Sequence, residues 1–267
     1  MREKQAQAQG QRGRSSPSPG RPPGIAPTTA QQRAEGRAGK MAFLAHSPLF
    51  CDFDATEIGE LDRITNVIAC QPGQILHRPG EKGSMLFLLK SGRVQLYHLS
   101  ADGRKLIIAM LEPDAYFGGM PLTGSDLHQS FAEAVEDSLV YMMHRADVEQ
   151  LLAQKPGAMR TLLQIIGQRC TQLETRLADT TFKSTTARLA TLLLQLARPD
   201  QTPRPNESAE LVVAGFSQGE LADRLGVYRE TVALALRELK EGGIIELGRK
   251  YISICRPAQL QELAVGQ

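Results

Sequence analysis

The sequence predicts an α+β protein with an N-terminal antiparallel β-roll, a long helix, and a C-terminal winged helix-turn-helix. Three observations predict this fold class. Short apolar runs separated by turn signals follow one another between residues 74 and 144. A long helical pattern then repeats apolar residues at alternating spacings of four and three. Near the C-terminus, two short amphipathic helices are joined by a glycine.

The first 40 residues differ in composition from the rest of the chain. They carry eight Lys and Arg against two Glu, with five Pro, six Gly and no aromatic residue. Such a segment cannot bury enough apolar surface to offset the entropy lost on ordering, so residues 1–40 are predicted to be a disordered basic tail. The tail either adds nonspecific attraction to nucleic acid or is not translated, with the chain starting at Met41.

Residues 41–156 are predicted to form the β-roll. Asp54 and Glu57 have the spacing of a helix cap ahead of the strands, and another short helix is expected near residues 147–154. Regularly spaced short strands indicate an antiparallel roll or barrel. The turn signals between the strands are Pro79-Gly80, Ser91-Gly92 and Ala101-Asp102-Gly103.

Metal, redox and membrane functions find little support in the sequence. The cysteines Cys51, Cys70, Cys170 and Cys255 are scattered and lack CxxC spacing, so no metal site or cofactor is predicted. Surface or turn positions are predicted for His77, His98, His128 and His144. Without an 18-residue apolar run or a signal peptide, the chain is expected to be cytoplasmic and to have no membrane partner.

Residues 157–180 are predicted to form a dimerisation helix and hinge. Their apolar stripe favours a parallel two-stranded seam, in which Cys170 would act as a small hydrophobe; packing on the chain's own roll is the alternative. Asp179-Thr180-Thr181 is poor helix material and a candidate hinge. The predicted seam consists of Met159, Leu163, Ile166, Cys170, Leu173 and Leu177.

Residues 181–267 are predicted to form the winged helix-turn-helix, with a Pro-rich exposed loop at 198–208. Ser217 and Glu220 form a capping box that opens its first helix. Gly226 supplies the turn, because glycine tolerates a positive φ. One face of the second helix is apolar, and the opposite face carries Arg229, Glu230, Ala233, Leu234 and Arg237.

The next segment reads as a two-stranded hairpin around Gly248, Arg249 and Lys250. A helix that buries one side and presents polar groups on the other suits the major groove of double-stranded DNA. The basic hairpin tip would then lie against phosphates. The sequence therefore favours a DNA-binding gene regulator.

The chain resembles the CRP/FNR superfamily of bacterial transcription regulators over roughly residues 43–262. The resemblance is carried by SGRVQLY at 91–97, FGG at 117–119 and ELADRLGVYRETVALALREL at 220–239. It implies a roll similar to a cyclic-nucleotide-binding jelly roll, a homodimer on a two-fold symmetric DNA site, and RNA polymerase as a partner.

By this resemblance, Arg229 would bind guanine O6 and N7, and Glu230 would accept from a cytosine amine. Tyr228, Ala233, Leu234 and Arg237 complete the predicted recognition surface. Leu234 stands where the catabolite activator type has a second arginine, and Tyr228 stands where the family usually has a serine. Phosphate contacts are implied for Ser217, Gln218, Thr231, Arg249 and Lys250.

The implied effector pocket departs from the cyclic-nucleotide pattern. Binders of this family place a glutamate after the FG pair and an arginine twelve residues further on. Here the corresponding positions are Gly118-Gly119 and Gln129-Ser130. Because neither a glycine nor a glutamine supplies charge, the sequence argues against cAMP and leaves the effector unidentified.

Two alternatives stay open beside an effector-controlled regulator. The protein could be a constitutive DNA binder, or a ligand-binding module whose hairpin contacts other proteins. Residues 211–256 hold seven Lys and Arg against six Asp and Glu, which is no strong basic patch. The absence of HExxH and of a nucleotide-cradling glycine loop argues against an enzyme.

Overall fold

The computed structural model describes residues 30–120, 127–199 and 211–266. The predicted tail up to residue 29 and nearly all of the predicted loop at 198–208 lie outside this part of the chain. No helix within it is both long and apolar enough to cross a membrane.

The helices and strands of this α+β chain fall into an N-terminal and a C-terminal globular part. The N-terminal part contains α1 (Ala30–His46), α2 (Ala55–Ile64), β1 (Asn66–Cys70), β2 (Ile75–His77), β3 (Met85–Ser91), β4 (Val94–Leu99), β5 (Lys105–Leu111), β6 (Tyr116–Gly118), β7 (Phe131–Ala134), β8 (Ser138–His144) and α3 (Arg145–Leu152). The C-terminal part contains α4 (Pro156–Phe182), α5 (Thr185–Leu196), β9 (Arg198–Pro199), β10 (Leu211–Ala214), α6 (Gln218–Leu225), α7 (Arg229–Glu241), β11 (Ile245–Gly248), β12 (Tyr251–Ile254) and α8 (Pro257–Val265).

Eight strands build the roll from two antiparallel four-stranded sheets, with strand orders β1-β8-β3-β6 and β2-β7-β4-β5. The predicted turns have the expected backbone, because Gly80, Gly92 and Gly103 all adopt positive φ. The antiparallel roll is thereby confirmed.

The sheet containing β3 is buried on both faces. Phe87 and Leu89 point into the space between the two sheets. Leu86 and Leu88 point the other way and pack against α1 to α4. Because side chains alternate along β3, this one seven-residue strand packs both into the roll interior and against the helical layer.

Helix α1 overturns part of the tail prediction. Residues 30–40 were expected to be disordered, but they belong to this helix. The Lys40 ammonium lies 2.8 Å from the Asp62 carboxylate and donates to the carbonyl oxygens of Asp62 and Thr65. Leu44 of the same helix is fully buried. Tertiary contacts at its C-terminal end therefore hold a segment whose local composition looked disordered.

Helix α2 begins where the sequence predicts. The Asp54 carboxylate accepts from the backbone of Thr56 and Glu57, and the Glu57 carboxylate accepts from Asp54 in return. These reciprocal bonds satisfy backbone donors that a helix N-terminus leaves free. The capping box is confirmed.

Helix α4 continues past the predicted hinge, so placing the hinge at residues 179–181 was wrong. The hydroxyls of Thr180 and Thr181 donate to carbonyl oxygens one turn back, at 2.8 and 2.9 Å, which accommodates both threonines in the helix. The chain breaks instead at Lys183, and the Ser184 hydroxyl caps α5 by accepting from the Ala187 amide.

The predicted seam residues divide into two groups along α4. Met159 and Ile166, near its N-terminal end, are partly buried against the roll's helical layer. In the other group, Leu163, Leu173 and Leu177 are 64%, 51% and 69% exposed, and Cys170 is also exposed. Packing on the chain's own roll therefore accounts for only part of the stripe.

The C-terminal part is a helix-turn-helix backed by a four-stranded sheet of order β11-β12-β10-β9. Leu193 of α5, Leu225 of α6 and Leu236 of α7 meet in its core. Helix α8, which the sequence analysis does not predict, adds Leu260 to this core.

Two histidines are buried in the roll, contrary to their predicted surface positions. The rings of His77 and His128 stack with centroids 3.8 Å apart, and both lie under 10% exposed. His77 Nδ1 is 3.0 Å from the carbonyl oxygen of Ser130. Burial, together with the neighbouring His128, lowers the pKa of His77 to about 4.

This depressed pKa predicts an acid-sensitive roll. Because unfolded His77 binds a proton near pH 6.5 and folded His77 only near pH 4, its contribution is present above pH 6.5 and is lost as the pH falls toward 4. His77→Asn should reduce the loss of unfolding free energy between pH 7 and pH 4.5 by about 2 kcal/mol in urea titrations. The exposed His98 supplies the control, since His98→Asn should keep the wild-type profile; equal profiles for wild type and His77→Asn would contradict the prediction.

Candidate nucleic-acid interface and roll cavity

The first helix of the helix-turn-helix is set by local hydrogen bonds. The Ser217 hydroxyl accepts from the Glu220 amide at 3.2 Å, and the Glu220 carboxylate accepts from the Ser217 amide at 2.7 Å. At the other end, Gly226 adopts φ 66° in the left-handed region, where an L side chain is strained. Cap and turn together fix where α7 begins.

Helix α7 has one buried and one exposed face. Its buried residues are Val232, Ala235, Leu236 and Leu239. On the other side, Arg229, Glu230 and Arg237 are exposed, and Leu234 is 63% exposed. Thr231 and Ala233 are half-buried at the edge of this surface. Arg229, Glu230, Leu234 and Arg237 therefore lie on one exposed helix face.

Tyr228, at the N-cap position of α7, makes no capping bond with its own helix. Its hydroxyl instead donates to the Asp102 carboxylate of the β4–β5 turn at 2.8 Å. The Arg104 guanidinium lies 4.7 Å from the centre of the phenol ring. The bond to Asp102 raises the pKa of Tyr228, while hydrogen bonds from Ser100 and Tyr228 hold the pKa of Asp102 well below its usual range.

The predicted wing is the hairpin formed by β11 and β12. Arg249 and Lys250 form its tip, where both are exposed and Lys250 adopts φ 70°. Ser217 is exposed and Gln218 half-buried at the start of α6. The wing, the start of α6 and helix α7 thus present charged and hydroxyl groups, which are the groups that bind phosphates.

A cavity of about 210 Å³ opens in the roll. It brings together the four residues predicted for an effector pocket, Gly118, Gly119, Gln129 and Ser130. A side chain at Gly119 would overlap the Gly83 carbonyl oxygen, so the backbone leaves no room for the family's glutamate. Gln129 is exposed and places its amide 3.4 Å from the Leu127 carbonyl oxygen.

Arg169 and the two stacked histidines also line the cavity, and the sequence analysis did not identify them. Arg169 belongs to α4 and donates to the Tyr116 carbonyl oxygen. No carboxylate of the described ranges pairs with it, and burial lowers the pKa of its guanidinium. His77 Nε2 is buried and has no hydrogen-bond partner among the residues that the structure describes. The sequence signal that could have identified Arg169 is its position beside the predicted seam, on the side of α4 that faces the roll.

In the described part of the chain, no three His, Cys, Asp or Glu residues cluster in a way that could hold a metal ion. The candidate sites are therefore the exposed face of α7 with the wing, and the roll cavity.

Comparison with known proteins identifies both globular parts. Residues 67–155 match the cyclic nucleotide-binding domain, and residues 187–263 match the Crp-like helix-turn-helix domain. The chain is 29% identical to the cyclic AMP receptor protein of Thermus thermophilus over 73% of its own length and 86% of the relative's. It is 26% identical to the fumarate and nitrate reduction regulatory protein of Vibrio cholerae, over 77% and 82% of the two lengths.

Solved structures have the same architecture. A CRP/FNR-family transcriptional regulator from Thermus thermophilus matches with a TM-score of 0.60 and 25% identity, over 75% of this chain and 99% of that one. The c-di-GMP-responsive global regulator CLP of Xanthomonas campestris matches with a TM-score of 0.64 and 19% identity, over 75% and 99%.

The two matched domains together span more than half of the chain. Regulators of this kind bind DNA through the helix-turn-helix domain and act as dimers. A roll of the cyclic nucleotide-binding type, a long helix and a Crp-like winged helix-turn-helix thus make this chain a member of the CRP/FNR family of transcription regulators.

Proposed function

We propose that this chain is a homodimeric, sequence-specific regulator that inserts α7 of each protomer into successive major grooves of a two-fold symmetric site. The observation that carries the proposal is the exposed face of α7, where Arg229, Glu230 and Arg237 project opposite a buried apolar face. A helix of this kind fits the major groove, and a symmetric dimer matches half-sites one helical turn apart.

Each exposed side chain has a proposed role. Arg229 is suited to bidentate bonds with guanine, and Glu230 to accepting from a cytosine amine. Leu234 offers only an apolar surface, which suits a thymine methyl group. Phosphates would be held by Arg249 and Lys250 of the wing and by Ser217, Gln218 and Thr231.

Dimerisation is proposed to run along α4. Leu163, Leu173 and Leu177 are more than half exposed in the single chain, which is costly for a helix with no partner. The stripe from Met159 to Leu177 that contains them repeats at spacings of four and three, so a second α4 would cover them in parallel register. Cys170 would lie in the same seam.

The roll is proposed not to take cAMP, although two of the relatives are named for it. Gly119 leaves no room for a ribose-binding carboxylate, and Gln129 brings no charge for a phosphate. The cavity of about 210 Å³ is also smaller than the roughly 300 Å³ at which ligand pockets begin. An acidic effector, if the roll takes one, would meet Arg169 there.

Regulation without any effector is the second candidate, and the small cavity favours it. Tight binding by the purified, ligand-free protein would support this version.

We further propose RNA polymerase as a partner and the cytoplasm as the location, in keeping with the relatives' role in transcription. A domain that works only through protein contacts would fail to distinguish a chosen duplex from random DNA.

Selection of bound duplexes from a random pool, with and without cAMP, tests the proposal directly. A two-fold symmetric consensus would support it, and recovery of no consensus would refute sequence-specific binding. The selected duplex then serves the measurements below.

Arg229→Ala should weaken binding to the selected duplex by about 1–3 kcal/mol, or roughly 5- to 150-fold, because a bidentate guanine contact is lost. Lys250→Ala should instead weaken binding to all duplexes alike and lower the salt slope by about one. Fluorescence anisotropy over a salt series measures both. Arg63→Ala, an equal charge change on the exposed side of α2, serves as the control. Unaltered discrimination by Arg229→Ala would contradict the proposed base contact.

The double variant Leu173→Glu with Leu177→Glu should convert the dimer to monomers, because four carboxylates would face one another in each dimer seam. Sedimentation velocity at micromolar concentration measures the change. Gln168→Glu lies on α4 away from the apolar stripe and should stay dimeric. A dimeric double variant would place the interface elsewhere.

Addition of cAMP should leave both the DNA affinity and the thermal midpoint unchanged. Gly119→Glu combined with Gln129→Arg should not restore cAMP binding, because the new side chain at 119 overlaps Gly83 and lowers the midpoint. Calorimetric titration and thermal scans measure both. Gln129→Arg alone, at an exposed position, should keep the wild-type midpoint. Micromolar cAMP binding by the wild type would overturn this assignment.

A further inference from the structure

The β4–β5 turn presents a preorganised acid next to the DNA-binding domain. The Ser100 amide donates to the Arg104 carbonyl oxygen and the Gly103 amide to the Ser100 carbonyl oxygen, both at 2.9 Å. The Ser100 hydroxyl donates to Asp102, and Arg104 Nε lies 2.9 Å from the same carboxylate. Asp102 is therefore held in place before it meets any other element.

This turn contacts Tyr228, the residue directly before the recognition helix α7. Asp102 accepts the Tyr228 hydroxyl at 2.8 Å, and Arg104 covers the ring at 4.7 Å. The phenol is thus held between both charges of one ion pair. Tyr228 makes no capping bond to α7, so its side chain forms its hydrogen bond with the roll and not with its own helix.

Neighbouring contacts extend the same interface. A side chain at Gly226 would come within 2.7 Å of Leu106 in β5, so the helix turn sits directly on that strand. Within the C-terminal part itself, Arg188 of α5 donates to the Leu225 carbonyl oxygen and so holds the end of α6 next to this turn. The helix-turn-helix is consequently docked on the roll through its turn, which is the part that precedes Arg229.

Docking of this kind opposes DNA binding on electrostatic grounds. The N-terminal residues of a recognition helix reach the base edges, and a helix N-terminus attracts phosphates. Here a carboxylate already occupies the approach to that end, one residue from Arg229. It would repel the phosphates that flank a major groove.

We propose that the contact of Asp102 and Arg104 with Tyr228 is an autoinhibitory clamp that must open before α7 enters DNA. The proposal rests on the DNA-binding function proposed above. The clamp also gives the roll a route to that function, because Leu96 of β4 lines the cavity and pairs with Ala109 of β5. The clamp turn joins these same two strands.

Binding to the selected duplex by full-length variants tests the clamp. Asp102→Ala and Tyr228→Phe should each tighten binding about two- to tenfold, since each removes one exposed polar contact that favours the closed state. The double variant should gain no more than the better single variant, because both changes open the same contact. Asp137→Ala, an equal charge change in the exposed β7–β8 loop, reports the effect of net charge alone.

Other outcomes would overturn the clamp. Weaker or unchanged binding by Tyr228→Phe would assign its hydroxyl to DNA or to neither role. Equal tightening by Asp102→Ala in the wild-type and Tyr228→Phe backgrounds would reduce the effect to general electrostatics. Failure of both the wild type and Asp102→Ala to select any duplex would instead refute the DNA-binding function itself.

A measurement without DNA provides an independent check. Hydrogen exchange of the amides around residues 226–232 should be faster in both single variants than in the wild type and Asp137→Ala, because an open clamp leaves this turn less protected. Identical exchange in all four proteins would contradict a clamp.

Discussion

Two-sided burial of the sheet β1-β8-β3-β6 is the constraint on which the rest of this structure depends. Alternate residues of β3 pack into the roll and against the helices, so neither layer can shift without disturbing the other. Ala158 and Leu162 bury the beginning of α4 in the helical layer. The direction in which α4 leaves the roll is set by this packing.

Because α4 is held in this way, one rigid element serves several sites. Arg169 reaches the roll cavity from it, and Arg176 donates to the Ile108 carbonyl oxygen of β5 further along. Its exposed Leu173 and Leu177 border a groove that Leu106 of β5 also lines, and its end at Phe182 leads directly into α5 of the DNA-binding domain. A shift of α4 against the roll would therefore displace residues of the roll cavity, of the proposed dimer seam and of the DNA-binding domain at the same time.

The two faces of α7 follow from the same reasoning on a smaller scale. Its apolar stripe packs into the domain core, and the turn at Gly226 sets its starting point. Burial leaves Arg229 and Glu230 outside. Tyr228, which directly precedes that outer face, contacts the roll, so docking and DNA recognition draw on adjacent residues.

The sequence by itself determined the features that depend on neighbours within a few residues. The capping boxes at Asp54 and Ser217, the turn glycines and the two-faced pattern of α7 are of this kind, because hydrogen bonds and periodicity over one or two turns decide them. The order of roll, long helix and helix-turn-helix could be predicted for the same reason.

Only the tertiary structure decided what depends on residues far apart in the chain. Lys40 orders the end of α1 by reaching Asp62, His77 is buried by stacking on His128, and Arg169 enters the cavity from another element. Tyr228 meets Asp102 across 126 positions. Local propensity carries no information about such contacts, because packing brings the partners together only after their own elements have formed.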